Sequence, residues 1–406
     1  MNLALFIAKR ISIGSKRTFS KLIVRIAVLG IMLGIMVMIL SVAIIKGFKG
    51  EIREKIRGFN GDIALLKYDL NTSTENSPFI LEKATLQLVA KQANVVHIAP
   101  FGNKPGIIKT ATEVEGVVFK GINGTYNPDY LSSILLKGRA INFKNTSLAD
   151  KEILISQLMA QKLKLKVGDD FLMYFMQESL RKRKFNIVGI YSTDVEDVDK
   201  TYIIGSLNVV KKINKWQNQQ VGGYEIRVND FNNLATIALD ISNLLPPQIK
   251  IVTIKELYPT LFEWLSLLDV NTSVILILML IVATINMISA LLIMILERTH
   301  MIGLLKALGQ TNWGLRKIFL YNALFLIGFG ILLGNFAGLG LAYFQQYSHF
   351  LTLDAATYYM RFVPIQINWF DVLLINMGTL VVCVCVMIVP SMLVGNISPV
   401  KALTFK

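Results

Sequence analysis

The sequence predicts an integral membrane protein of the α-helical class, with four transmembrane helices and a large α+β extracytoplasmic domain inserted between helices 1 and 2. Three observations predict it. Four apolar runs are each long enough to cross a bilayer, one near the start of the chain and three near its end. Between the first two lie about 220 residues of mixed polarity, enough to bury a core of their own. The short segments flanking the runs carry very unequal basic charge.

The 406 residues are 53% hydrophobic, with 17% charged and a mean hydropathy of +0.52, a mixture that fits spans plus a water-facing domain. The formal charge of +15 invites a nucleic-acid reading, but its location excludes one. Lys46 to Asp269 holds 29 basic and 24 acidic residues, whereas the remainder holds 13 basic against 3 acidic. The excess belongs to membrane topology and implies no nucleic-acid partner. Cys383 and Cys385 lie two apart in an apolar run, where a helix points them in different directions, so no disulfide is expected. His97, His300 and His349 fall in separate regions. No metal or cofactor site is read from these residues.

Leu22 to Ile45 is a run of about 24 residues broken only by Arg25, and at about 1.5 Å per residue it can cross a core of roughly 30 Å. It is too long for the apolar region of a cleaved leader, and no small-x-small site follows before Lys46; an uncleaved signal anchor is expected. Further runs span Val270 to Leu296, Ile318 to Phe344 and Phe370 to Val394. Lys9, Arg10, Lys16, Arg17, Lys21 and Arg25 precede or open the first run. Arg298, Lys306, Arg316 and Lys317 lie between the second and third, and Lys401 and Lys406 follow the fourth. The loop between the third and fourth has Arg361 alone. Short positive loops stay in the cytoplasm, which puts both termini inside. The expected order is a cytoplasmic amphipathic segment (1–21), helix 1 (22–45), an outer domain with stalks (46–269), helix 2 (270–296) and a cytoplasmic loop (297–317). Helix 3 (318–344), a short outer loop (345–369), helix 4 (370–394) and a cytoplasmic tail (395–406) complete it. Gly30 and Gly34 in helix 1, and Gly330, Gly334 and Gly338 in helix 3, make smooth faces for close packing, within one subunit or at a dimer seam. Pro390 is expected to kink helix 4.

Beyond Ile45, the stretch Gly47 to Phe59 is amphipathic at helical spacing, with Phe48, Ile52, Ile56 and Phe59 on one face, and reads as a stalk continuing helix 1. Short β-rich segments follow at 62–66, 116–122, 152–155, 171–176, 185–191 and 224–228, with a helical stretch at 79–93. No G-x-S-x-G, no H-E-x-x-H and no nucleophile beside a histidine occurs there. The cluster Asp194, Glu196, Asp197, Asp199 lacks the spacing and glycine of a calcium loop and reads as a solvated loop. Arg181, Lys182, Arg183 and Lys184 are expected on a hairpin starting at Gln177, where they would face either an acidic partner or water.

The stretch Glu297 to Gly309 leaves helix 2 with charge and then offers an apolar face. Ile302, Leu305 and Leu308 recur at helical spacing, and Gly309 stands as a helix stop. Composition fits equally a helix seated in another protein's groove and one lying in the lipid interface.

Asn286-Met287-Ile288-Ser289, then Glu297-Arg298, then Ile302-Gly303-Leu304-Leu305-Lys306-Ala307-Leu308-Gly309 resembles the signature of the FtsX-like ABC transporter permeases. More closely the chain resembles the lipoprotein-releasing (Lol) permeases of the LolC/LolE type. The likeness also takes in Ala8-Lys9-Arg10, Lys46-Gly47-Phe48, Ile98-Ala99-Pro100, Gly121-Ile122-Asn123, Gly138-Arg139, Leu163 to Asp169, Val188-Gly189-Ile190-Tyr191 and the ending Ser398 to Leu403. It implies that residues 46–269 are a periplasmic MacB-like core domain and that Glu297 to Gly309 is a coupling helix received by a nucleotide-binding subunit. It implies a bacterial inner-membrane location and a non-catalytic permease subunit. Its partners would be an ABC ATPase subunit dimer, a second permease identical or homologous to this chain, a lipoprotein cargo and a periplasmic carrier. The dipeptide Gly-Lys of a phosphate-binding loop occurs nowhere in the chain, so ATP and Mg are expected on the partner. Mechanotransmission, the family's mode, would move the outer domain without passing substrate through the membrane. The Gln177 to Lys184 hairpin is shorter than the hook of the family's carrier-binding subunit and has no proline, which leaves carrier binding by this subunit open. The alternatives are an FtsX-like or MacB-like permease driving efflux or cell-wall hydrolase activation and, in another class, a membrane-anchored sensor or scaffold without an ATPase.

Overall fold

The computed structural model describes residues 18–69, 75–110, 113–176, 181–354, 358 and 360–397. The residues up to Arg17, Gln177 of the hairpin, and the ending from Ser398 with Lys401 and Lys406 lie outside the described residues. The chain divides into two compact units: a helical one (Met1–Gly50, Trp264–Thr352, Phe362–Lys406) and a mixed one (Glu51–Glu263, Leu353–Arg361).

α1 (Thr18–Asn60) is one helix of 43 residues. The apolar run and the amphipathic stretch behind it differ in polarity but share helical spacing, so they form a single element. β1 (Ile63–Lys67), α2 (Lys83–Ala90) and β2 (Val95–Lys109) follow. The chain then makes β3 (Val114–Ile122), α3 (Pro128–Ile134), β4 (Leu135–Gly138), β5 (Glu152–Ser156), α4 (Gln157–Leu163) and β6 (Asp170–Phe175). It continues through β7 (Arg181–Tyr191), α5 (Glu196–Thr201), β8 (Tyr202–Ser206) and α6 (Leu207–Asn214). The mixed unit closes with β9 (Gly223–Val228), α7 (Leu234–Ser242) and β10 (Ile249–Thr253).

β10, β1, β9 and β2 lie side by side in that order, each neighbouring pair antiparallel. Two interlocked β-α-β halves, β1-α2-β2 and β9-α7-β10, give the split β-α-β arrangement. β2 serves twice: residues 95–101 pair with β9 and residues 102–109 with β3. Strands β2, β3, β8, β5, β7 and β6 then form a closed circuit of ladders, because β6 pairs with β7 and back with β2. Phe171, Met173 and Phe175 are buried and alternate with exposed Asp170 and Leu172, the period of a strand with one face inward. The buried rings of Phe119, Phe171, Phe175 and Phe185 meet at centroid distances of 5.5–6.3 Å and fill the circuit.

The expected segments at 62–66, 116–122, 152–155, 171–176, 185–191 and 224–228 correspond to β1, β3, β5, β6, β7 and β9. The helix expected at 79–93 starts only at Lys83, because Phe79 bridges Val221 in backbone pairing. β2 was not anticipated, since Pro100, Gly102, Pro105 and Gly106 argue against a central strand. Both prolines sit where β2 has a single paired neighbour, Pro100 opposite β9 and Pro105 opposite β3.

The helical unit holds the membrane-facing part of α1 with α8 (Pro259–Glu297), α9 (Thr299–Ala307), α10 (Asn312–Ser348) and α11 (Trp369–Ser391). Among the described residues, four helices, α1, α8, α10 and α11, are long and apolar enough to cross a membrane. α11 stops at Ser391, one residue past Pro390, and a short turn, Leu393–Asn396, follows: the proline closes the helix rather than bending it midway. Ile31, Ile35, Met287, Leu291, Phe319, Ile327, Cys383 and Met387 pack into one core. Cys383 is buried and Cys385 exposed, both unpaired.

The glycine stripes form seams inside this one chain. A Cβ at Gly330 or Gly334 would stand 2.8 or 2.7 Å from the Cβ of Ile31 or Ile35, and one at Gly338 would stand 3.2 Å from the Cα of Met36, so α10 lies directly against α1. Gly30 and Gly34 face Asn286 and Ala283 of α8.

Candidate coupling loop and stalk anchorage

α8 ends at Glu297, Arg298 makes the corner, and α9 begins at Thr299. The Thr299 hydroxyl donates to the Leu296 carbonyl at 2.6 Å, and the Ile302 N–H donates to the Arg298 carbonyl at 3.0 Å. At the other end Gly309 takes φ +89°, open to a residue without a Cβ. Its N–H donates to Lys306 O and that of Gln310 to Leu305 O, both at 3.0 Å, which is a Schellman stop. Gly309 ends the helix as its position in the sequence predicts.

The apolar face divides differently from the expectation. Ile302 and Gly303 are buried, Ile302 inside the bundle core, and Leu305 packs against that core. On α9 and its stop, the large apolar side chains left exposed are Leu304 (48%) and Leu308 (76%). Spacing alone could not choose between these sides, because both contain leucines three or four residues apart. Lys306 turns inward as well: its Nζ donates to the carbonyls of Gly395 and Ile397, at 2.8 Å each.

The end of α1 belongs to the mixed unit and is fixed within it by polar contacts that sequence reasoning missed. Asp62, fully buried, accepts from Arg57 Nε, from Arg57 Nη2 at 3.0 Å and from the Val228 N–H at 2.8 Å. Arg57 also donates to the Val228 carbonyl at 2.9 Å and lies over the Phe231 ring. Lys120 of β3 donates to the Phe59 carbonyl and to Glu225 of β9, the latter at 2.7 Å. Burial pushes the Lys120 ammonium down and the Glu225 carboxyl up, and their mutual pairing pulls each back. The Tyr126 hydroxyl donates to Phe59 O at 2.9 Å, and the Asn60 amide donates to the Tyr258 hydroxyl at 2.8 Å.

The acidic cluster divides: Asp197 is exposed and Glu196 pairs with Lys200 at the surface, as a solvated reading expects, whereas Asp194 and Asp199 are held in the structure. Asp199 is buried, accepting from the N–H and hydroxyl of Thr193 and from the Ser192 hydroxyl; burial raises its carboxyl pKa against those bonds. Asp194 pairs with Lys55 at 2.9 Å. Among the described residues no three His, Cys, Asp or Glu side chains group to hold a metal. The basic run lies within β7, paired with β6 in the register Phe175↔Arg181 to Leu172↔Lys184, rather than on the connecting turn. Lys182 and Lys184 are exposed, and Lys184 pairs with Asp170 at 2.9 Å.

Polar ties also cross the helical unit. Asn335 of α10 and Asn376 of α11 exchange amide hydrogen bonds of 2.9 and 3.0 Å, Lys46 meets Asp371 at 2.6 Å, and Lys49 meets Asp269 at 2.5 Å. The signal for the first pair was present, an amide inside each of two apolar runs.

Four apolar helices with a short helix on the loop between two of them, together with an α+β domain, fit a membrane permease subunit. The family profile for the MacB-like periplasmic core domain matches residues 26–244, and that for the FtsX-like permease C-terminal region matches residues 273–399. The chain belongs to the FtsX-like permeases that carry a MacB-like periplasmic core domain. It is 22% identical to the lipoprotein-releasing system transmembrane protein LolE of Haemophilus influenzae, over 100% of both chains. It is 23% identical to the corresponding LolC of Neisseria meningitidis, over 96% of this chain and 95% of that one. The periplasmic region of MacB from Actinobacillus actinomycetemcomitans aligns at 14% identity with a TM-score of 0.35, covering 52% of this chain and 97% of that one.

Proposed function

We propose that the chain is the permease subunit of an ABC transporter that extracts lipoproteins from the outer leaflet of the bacterial inner membrane and hands them to a periplasmic carrier. The observation that carries this reading is the likeness to lipoprotein-releasing transmembrane proteins over essentially the whole of both chains. The mixed unit is then the periplasmic domain, both termini are cytoplasmic, and the 298–309 loop faces a separate ATPase dimer that holds ATP and Mg. A second permease, identical or homologous, completes the complex.

The physical chemistry supports this division of labour. At about 1.5 Å per residue, α1 is about 65 Å long, roughly twice a hydrocarbon core of about 30 Å, so a helix anchored in the bilayer also reaches the domain. Each acyl methylene adds about 0.8 kcal/mol of membrane affinity, so a lipid-anchored cargo leaves only with an external source of free energy. Purification of the tagged chain in mild detergent tests the class, and absence of a co-purifying ABC ATPase refutes it. Depletion followed by membrane fractionation tests the cargo: outer-membrane lipoproteins that stay correctly sorted refute lipoprotein release.

A further inference from the structure

A displaced coupling helix acts on whatever it is bonded to. α9 is joined covalently to α8 and, through 308–311, to α10. Its Lys306 makes a third connection, to the turn that follows α11: the Nζ donates to the carbonyls of Gly395, on that turn, and of Ile397, its C-cap. Carbonyls at a helix end have no intrahelical donor, and an ammonium supplies both hydrogen bonds and the charge that this end of the dipole favours. α11 is also tied elsewhere along its length. Asn376 pairs with Asn335 of α10, and Asp371 in its first turn pairs with Lys46 of α1. Lys46 is part of the helix that runs on to Asn60.

We propose that Lys306 is a positioning residue that couples the loop helix to the turn following α11, so that displacement of α9 travels through that turn along α11 and through the Asp371–Lys46 pair into α1. This rests on the permease reading and deepens it by naming the route. Lys306 thus acts as an internal tether, and Leu304 and Leu308, on the exposed side, meet the ATPase. Two of these links lie in α11, at Asp371 and Asn376, and the third on the turn that directly follows it, so the three run in sequence along one stretch of chain.

The test uses the full chain with its co-purifying ATPase in proteoliposomes, measuring lipoprotein released per ATP hydrolysed. Lys306→Met keeps the apolar stem and removes the donor. It is expected to leave ATPase association unchanged, to lower the melting temperature slightly, and to lower release per ATP about tenfold, the effect of losing charge-assisted hydrogen bonds. Lys306→Arg, which retains donors, is expected to recover most of it. Asp371→Asn is expected to give a similar loss, and the double variant no further loss, because both cut one route. Multiplying losses in the double variant, unchanged release in Lys306→Met, or loss of ATPase binding in Lys306→Met would each overturn the proposal. The unaltered chain separates the two readings: failure of its own ATPase association refutes the permease reading and this proposal together.

Discussion

Replacing Leu304 and Leu308 together by aspartate probes the proposed docking face most directly. Leu304 is 48% exposed and Leu308 76% exposed, so neither substitution opens a cavity in the bundle. Full burial of a leucine contributes about 1.5–3 kcal/mol, and scaling by these exposures leaves about 2–4 kcal/mol available to a partner that covers both. At 1.4 kcal/mol per tenfold, that corresponds to an affinity loss of about 10²-fold, with desolvation of two carboxylates adding to it. Ile302→Ala is the contrast. Ile302 is completely buried, so this variant is expected to lose about 2–4 kcal/mol of stability without touching the docking surface. Titration of the purified ATPase onto the detergent-solubilised chain measures the first effect, and thermal unfolding measures the second. If Leu304→Asp/Leu308→Asp binds the ATPase within about twofold of the unaltered chain, the exposed face of α9 is not the docking surface.

Other consequences are independent of any partner. Gly334→Val would drive a side chain into Ile35, 2.7 Å from the ideal Cβ, and is expected to cost about 1–3 kcal/mol in thermal unfolding, whereas Gly328→Val meets nothing within 4 Å and should be neutral. Asp62→Asn leaves Arg57 buried with half its partner gone; a loss of about 3–5 kcal/mol is expected, read as earlier proteolysis of the mixed unit. Hydrogen bonds from the Arg139 guanidinium, with the Asn142 N–H adding to them, hold the Glu152 carboxyl below the usual carboxylate range. The stabilisation is therefore complete above the ordinary carboxylate pKa and disappears as pH falls through the depressed one. Acid unfolding should show Glu152→Gln less stable than the unaltered chain near neutrality, with the gap closing in acid.

What could be read in advance follows from range. The four spans were legible because about 20 consecutive apolar residues need no knowledge of a partner segment. The helical continuation to Asn60 was legible because Phe48, Ile52, Ile56 and Phe59 repeat within one helix. β6 and β7 announce themselves by local alternation. β2 hides because its prolines are acceptable only where a ladder is missing, a fact that belongs to β9, β3 and β6 rather than to β2. Lys120 hides for the same reason: beside Phe119 and Gly121 it looks like the wet side of a strand, yet it is buried. The groups that satisfy it, Glu225 and the Phe59 carbonyl, lie 105 and 61 residues away. On the coupling loop the helix and its stop were local and readable, whereas the choice of its outward face depended on the core that receives Ile302.

The chemistry at the end of α1 fixes that helix in a way that an apolar contact would not. Apolar packing tolerates sliding, since one side chain can replace another of similar volume. Here Arg57 is fixed from two directions, by the Asp62 carboxylate and the Val228 carbonyl, and Asp62 is fixed in turn by the Val228 N–H. Two turns of the tether, Tyr126 on Phe59 O and Asn60 on Tyr258, hold the final helical residues. A slip of one residue would rotate α1 by about 100° and carry Arg57 away from its acceptors, leaving buried charge unpaired at a cost of several kcal/mol. The end of α1 is therefore fixed both in rotation and along its axis. The Arg57–Val228 and Lys120–Phe59 bonds thus tie the last turns of α1 to β9 and β3 within the mixed unit.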